Sequence, residues 1–406
     1  MKILTKSFIK SIPKTDLHCH LDGSLRLSTL IEIAKEQKIS LPSFTEEGMK
    51  ELVFKDQYRD LMEYLQGFQY AIAVMQTPET MERISYELAL DAFSEGIRYI
   101  EPRFAPQLHV NAALTIEEVL ANVAKGFDRA QKEINARAQI AEGSEPPFKY
   151  GIIGCAMRMF TEHSSYYYRM LINLHRDMPE EERFGLASKD LVRALIKARD
   201  VDGLPIVGVD LAGAEKGYPA EDHRAAYELA HKNFLKKTVH AGEAYGPASI
   251  FQAITDCHAD RIGHGTHLFD TEMVELPTPE AREQYVHALW QFIADRRITI
   301  EICLTSNLQT TPRLKELSAH PFRMMLDNRL STTFCTDNRL VSNTTVSHEI
   351  DLAVKTFDIS PQRLKDIIIY GFKRSFYPGN YAEKRKYVRQ AIDYYESIEA
   401  QNSVHN

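Results

Sequence analysis

The sequence predicts an α/β protein whose strands close into a (β/α)8 TIM barrel, with helical insertions and a helical C-terminal segment. Eight short runs rich in Ile, Val, Phe and Tyr cross the 406-residue chain. Helical periodicity lies between most of them, and strands that alternate with helices make a parallel sheet. Polar or charged residues gather at the C-terminal ends of the runs, where barrels of this class carry their chemistry. An open doubly wound sheet is the alternative architecture.

The runs, in order, are DLHCH (16–20), IRYIEPRF (97–104), KYGIIGCAM (149–157), IVGVDLAG (206–213), KTVHAGE (237–243), DRIGHG (260–265), ITIEICLTSN (298–307) and STTFCTD (331–337). The second contains Pro102, which has no N–H to give a central ladder, and the sixth is very short. Between the second and third runs, Ile116, Val119, Leu120, Val123 and Phe127 recur at helical spacing, and Thr115 with Glu118 forms a capping box. Met81, Ile84, Leu88 and Ala92 repeat the pattern one helix earlier. Ser360-Pro361 opens another helix, with Ser as N-cap and Pro in the first turn.

Four stretches read as excursions: a helical region at 40–80, a turn-rich loop at 141–148, a tyrosine-rich insertion at 161–186 and a loop at 270–280. From His348 onward the chain is mostly helical and ends in a polar tail. No internal repeat or low-complexity linker divides it, so residues 1–406 are expected to form one barrel domain.

Lys and Arg number 49 against 56 Asp and Glu, a net charge of -7. No basic stripe stands out in the sequence, so no nucleic-acid partner is expected. No run reaches the roughly 18 apolar residues of a membrane span. MKILTKSFIKSIPK lacks the apolar core of a secretory signal. Cys19, Cys155, Cys257, Cys303 and Cys335 are odd in number and form no CxxC pair, which speaks against a disulfide framework and fits a reducing cytoplasm. They read as small buried hydrophobes.

The chemistry starts at His18 and His20. Side chains alternate along a strand, so the two imidazoles share a face and Cys19 takes the other. His240 ends the fifth run and Asp337 the eighth. A barrel brings these ends to one mouth, where three imidazoles and a carboxylate suit Zn²⁺. An HxH pair alone fits hydrogen-bonded structural histidines better than a metal site. Glu243, three residues past His240, suits a proton shuttle or a solvated capping role. His264, between Gly263 and Gly265, suits orienting or deprotonating a water, or a structural turn. Gly213 at the fourth run's end and Asp22 after HxH suit ligand contacts or plain loop geometry. Glu101 and Arg103 share a face of the second run and suit an ion pair inside the barrel.

DLHCHLDGSLR, DLAGAE, VHAGEAYGPASI, RIGHGTHL, LTSNLQT and STTFCTDN resemble, in order, the successive motifs of the adenosine deaminase family of metal-dependent amidohydrolases. The resemblance covers residues 16 to about 345 and implies a barrel with one zinc per chain and a small-molecule purine nucleoside as partner. It implies His18, His20, His240 and Asp337 as zinc ligands, with His20 also beside the substrate. Glu243 then matches the residue that protonates the purine ring nitrogen. His264 matches the histidine that orients and activates the attacking water, and Gly213 and Asp22 match contacts to purine and ribose hydroxyl. The family pattern has two successive aspartates after the eighth strand, whereas this chain has Asp337-Asn338. Asn338 can donate an amide N–H to the purine N7 without being protonated. The implied reaction is hydrolysis of adenosine, or a close 6-aminopurine nucleoside, to the 6-oxo product and ammonia. Adenine, a modified aminopurine nucleoside, or silent binding on the same fold are the alternatives. A two-metal site lacks a bridging lysine, and cytidine-deaminase chemistry lacks HxE with PCxxC.

Overall fold

A computed structural model of the chain describes residues 4–404. The predicted runs become β1 (Lys14–His20), β2 (Ile97–Phe104), β3 (Lys149–Tyr150), β4 (Ile152–Met157), β5 (Ile206–Ala212), β6 (Lys236–Ala241), β7 (Arg261–His264), β8 (Thr299–Ile302) and β9 (Thr332–Phe334). All pair in parallel in the order β1-β2-β4-β5-β6-β7-β8-β9, with β3 beside β2. The ring closes at its mouth. His20 N–H donates to the Asp337 carbonyl and Asp337 N–H to the His18 carbonyl, both at 2.7 Å. This is a (β/α)8 barrel, and its seam runs through three residues singled out for their chemistry.

Local irregularity accounts for the departures from expectation. Pro102 lies inside β2, opposite Cys19, where the register slips from Asp16↔Ile100 to Cys19↔Pro102. Three residues of β1 span two of β2, so the missing N–H falls in an already broken stretch of ladder. The third run splits at Gly151, where a Cβ would meet Val207 at 2.6 Å and Tyr99 Oη at 2.9 Å. The seventh ends as a strand at Ile302, and Leu304–Thr310 is a helix. Glu349 caps that helix by accepting the Thr305 N–H at 3.1 Å, a partner 44 residues away that no local pattern could supply.

The helical periodicity is realised. Helix Ile116–Asn135 buries Val119, Leu120, Val123 and Phe127, and Thr115 and Glu118 form both halves of the capping box. Helix Pro78–Ser94 buries Met81, Ile84, Leu88 and Ala92. Ser360 accepts the Arg363 N–H at the head of helix Pro361–Arg374. The excursion after β1 forms short helices Glu46–Leu52, Leu61–Leu65 and Phe68–Val74. The tyrosine-rich insertion forms helix Tyr166–Leu174, and its Tyr168 is buried with its ring stacked 4.0 Å from Phe160. The C-terminal part is helical over Val346–Phe357, Pro361–Arg374 and Tyr381–Val404, and residues 405–406 of the expected tail lie outside the described residues. No helix among the described residues is long and apolar enough to cross a membrane. All five cysteines are buried and unpaired.

Glu101 and Arg103 are fully buried inside the barrel but do not pair with each other. Arg103 bridges Asp210 and Glu301, each at 3.0 Å, while Glu101 takes Arg261. Two residues apart along one strand, their charged ends find nearer partners across the barrel than beside them. The second Glu301 oxygen accepts from Arg261 Nε at 2.7 Å. Burial alone would raise the Glu301 carboxyl, but Arg103 and Arg261 hold it well below the usual carboxylate range.

Candidate active site

The predicted strand ends converge. His18 and His20 are buried, with ring centroids 5.3 Å apart, and the His240 ring lies 4.5 Å from His18 and 5.2 Å from His20. His264 ends β7 with φ 67° and Asp337 follows β9 with φ 61°. Left-handed backbone is uncommon for side chains with a Cβ, though His and Asp tolerate it best. In both places it ends the strand at the barrel mouth, a small strain of a kind that gathers at functional sites.

The histidines and Asp337 form a cluster that could hold a metal ion. His20 Nε2 lies 3.2 Å from His240 Nε2. Asp337 Oδ1 lies 3.3 Å from His18 Nε2 and 3.4 Å from His20 Nε2. Ligands about 2.0–2.1 Å from a tetrahedral centre stand roughly 3.3 Å apart. His18 Nε2 is buried and makes no hydrogen bond of acceptable direction, despite the nearby carboxylate. A buried ring nitrogen that approaches a carboxylate without aiming at it suits a third partner between them. The far sides of two rings are fixed: His18 Nδ1 meets Glu301 Oε2 at 2.8 Å and His240 Nδ1 meets Asp210 Oδ2 at 3.0 Å. Such outer carboxylates set ring orientation and leave Nε2 for the ion. His264 also brings a donor atom within 4.8 Å of those of His18, His240 and Asp337. Ser306 Oγ donates to the other Asp337 oxygen at 2.6 Å.

Glu243 and His264 face each other across 3.7 Å. Burial, with Asp337 and Glu215 adding negative charge, raises the Glu243 carboxyl to about 8. Sequence reasoning assigned no role to Glu215. Its carboxylate accepts the backbone N–H groups of Gly242, Glu243, Ala244 and Tyr245 at 2.7–3.0 Å, and the Ser249 hydroxyl. It therefore pins the loop that carries Glu243. The DLAGAE motif contained this glutamate, but only the fold reveals its partners.

A chain of hydrogen bonds fixes the His264 tautomer. The Phe322 N–H donates to His320 Nδ1 at 3.0 Å, so His320 carries its proton on Nε2. That proton goes to Asn307 Oδ1 at 3.1 Å, and Asn307 Nδ2 donates to His264 Nδ1 at 2.9 Å. Burial keeps His264 neutral, well below its ordinary range. Its single proton therefore sits on Nε2, the atom facing Glu243, and the ring meets a ligand as a donor.

His20, His240, Glu243, His264 and Asp337 line a cavity of about 490 Å³. Leu61, Leu65, Phe68 and Ile72 from the excursion after β1 form its apolar wall, with Leu108 and Met157. Asp22 and Gly213 also line it. Asp22 Oδ1 is buried without a hydrogen bond, 4.0 Å from His20 Nδ1, and burial raises the carboxyl to about 7. Gly213 has φ 99°, where a Cβ would be strained and stand 3.3 Å from Met157. Asn338 reaches the cavity, but its amide N–H donates to Tyr64 Oη at 2.8 Å, and its Oδ1 is unpartnered. One of its two amide hydrogens is thus already used. His163 and Ser164 line the cavity from the insertion, while Tyr166–Tyr168 do not.

The family profile described as adenosine deaminase matches residues 13–395. The adenosine deaminase of Mycobacterium ulcerans is 34% identical over 375 residues, covering 92% of each chain. An N6-mAMP deaminase from Arabidopsis has a similar fold, with a TM-score of 0.72 and 24% identity over 95% of this chain and 99% of that one. An adenine deaminase from Arthrobacter aurescens gives a TM-score of 0.70 at 20% identity, over 95% and 100%.

Proposed function

The chain belongs to the adenosine deaminase family of hydrolytic deaminases, and we propose that it converts adenosine to inosine and ammonia with one zinc ion per chain. The observation that carries the metal assignment is the 3.2–3.4 Å separation of His20 from His240 and of Asp337 from His18 and His20, with His18 Nε2 left unpartnered. A zinc ion held there would supply a water whose pKa falls from 15.7 to about 7.

The remaining steps belong to side chains. The apolar wall and Gly213 accommodate the purine plane, and the Asp22 oxygen left without a hydrogen bond suits a ribose hydroxyl. Glu243, kept protonated by burial, gives its proton to N1 and makes C6 electrophilic. His264 donates from Nε2 to the oxygen arriving at C6 and holds it in line. The water leaves its oxygen on C6, one of its hydrogens goes to the departing nitrogen to complete ammonia, and the other returns Glu243 to its acid form. A free base would leave Asp22 unmatched, which favours a nucleoside over adenine.

The test is ultraviolet turnover of adenosine, deoxyadenosine, adenine, methylthioadenosine and N6-methyl-AMP by purified protein. Adenosine is expected to be the best substrate, with activity removed by chelation and restored by zinc. Glu243→Gln is expected to keep the metal and lose most turnover. Preference for adenine, or indifference to chelation, would refute the reading.

A further inference from the structure

The opposite end of the barrel carries an arrangement the deaminase reaction does not use. Lys236 is the first residue of β6, Arg261 the first of β7, and Arg374 the last of helix Pro361–Arg374. These mark the N-terminal face of the barrel, away from the His18–Asp337 mouth. A cavity of about 420 Å³ opens there, lined by Lys236, Arg296, Arg297, Lys373, Arg374 and Lys384, with Arg261 in its wall.

This concentration of positive charge is not neutralised from within. Asp260 is the carboxylate in the lining, and it already holds Lys237 through Nζ at 3.2 Å and the backbone N–H at 2.9 Å. Among the described residues, no carboxylate lies within 4.0 Å of the charged ends of Lys236, Arg296, Arg297, Lys373 or Arg374. Arg374 Nε is buried without a hydrogen-bond partner. Lys384 Nζ donates to the Ser375 carbonyl at 2.6 Å, which leaves its other hydrogens free. Arg261 is committed to Glu101 and Glu301 and adds wall and field rather than a free donor. The crowding is felt by its members. Burial, opposed by Glu101 but reinforced by Arg261, Lys236 and Arg374, brings Lys384 down to about 8, and burial with Arg297 lowers Arg374. In a chain of net charge -7, cations drawn from four separate segments meet here with almost no acid between them.

Lys236, Arg296, Arg297 and Lys373 are exposed, and they ring one hollow together with the half-buried Arg374 and Lys384. Arg296 lies over the Phe292 ring and Lys373 over Tyr370, but neither holds a carboxylate, and a hollow ringed by guanidinium and ammonium groups without acids is the chemistry that recognises phosphate. The number of unpaired cations exceeds what one phosphate neutralises, and a second hollow sharing Lys373 and Lys384 extends the basic surface past Arg385. We propose that this cavity is a second binding site, separate from the deaminase pocket, for a small anion bearing a chain of two or more phosphates.

Calorimetric titration of the full-length protein with tripolyphosphate, and in a second arm with GTP, tests this. GTP has no 6-amino group to hydrolyse, so its heat reports binding alone. Saturable one-to-one binding is expected, weakened at least tenfold in Arg297→Ala/Lys373→Ala. The control Lys35→Ala/Lys132→Ala removes the same charge from exposed helical positions and should stay within twofold of wild type. Adenosine turnover of both double variants should be unchanged, and zinc content should not fall during titration. Tighter binding of GTP than of tripolyphosphate would identify a nucleotide as the source of the phosphates. Equal binding would identify the phosphate chain itself. Absence of saturable binding would overturn the proposal. So would equal loss in the control, which indicates diffuse attraction, or binding undiminished in Arg297→Ala/Lys373→Ala.

Discussion

Glu215 Oε2 accepts the backbone N–H of Glu243 at 3.0 Å, so one buried carboxylate fixes the main chain from which another projects. The same group holds three neighbouring N–H donors. Glu215→Gln keeps the shape but exchanges one acceptor oxygen for an NH2 that faces donors. Turnover should fall about 10- to 100-fold, the usual scale for outer residues that orient a reacting one. Zinc content should not change, and kcat should fall more than KM rises. A drop in Tm with kcat intact would reduce Glu215 to a purely structural anchor.

The Phe322–His320–Asn307–His264 chain makes a second prediction. Asn307→Asp places an acceptor where an amide N–H now donates, so His264 should move its proton to Nδ1. The ring would then present a lone pair in place of its Nε2 donor. Loss of such a donor costs about 100-fold or more in kcat. Nitrogen chemical shifts of His264 read the tautomer directly. An unshifted tautomer in the variant would remove Asn307 as its determinant.

Asn338 lies beside Asp337 and donates to Tyr64. Asn338→Asp adds a buried acid next to one already negative and, once ionised, turns the bond to Tyr64 around, with the phenol donating. Nucleoside preference should change more than metal content. Identical relative rates across the substrate panel, at equal zinc, would place Asn338 outside the recognition surface.

Glu349 gives a pH signature of stability rather than of catalysis. Burial raises its carboxyl to about 7, against the hydrogen bonds from Thr305 and Thr344 that lower it. A raised folded-state value means the contribution is full below the unfolded value near 4.5 and is lost as pH rises through about 7. The span corresponds to about 3 kcal/mol at most. Thermal unfolding of the wild type should therefore show a lower Tm at pH 8 than at pH 5. Glu349→Gln should flatten that difference, because it keeps an acceptor for Thr305 and cannot ionise. An equal pH slope in the variant would assign the effect to other groups.

The sequence by itself determined the alternation of eight parallel strands with helices, the capping of helix Ile116–Asn135 and the strand ends that carry the histidines. These follow from periodicity and from residues close in the chain, which act over one or two turns or along one strand. It also carried the family motifs, whose order survives in a linear reading. Where local pattern misled, a distant partner decided: Glu349 made a helix of Leu304–Thr310, and the bulge opposite Pro102 made that proline tolerable in β2. The pinning of Glu243 by Glu215, the proton position on His264 and the pairing of Arg103 with Asp210 and Glu301 belong to tertiary structure alone. So does the basic cavity, whose cations at 236, 296–297, 373–374 and 384 form no stripe in the sequence. Hydrogen bonds and charges act through a few ångströms of space, and only the closed barrel sets which residues share it.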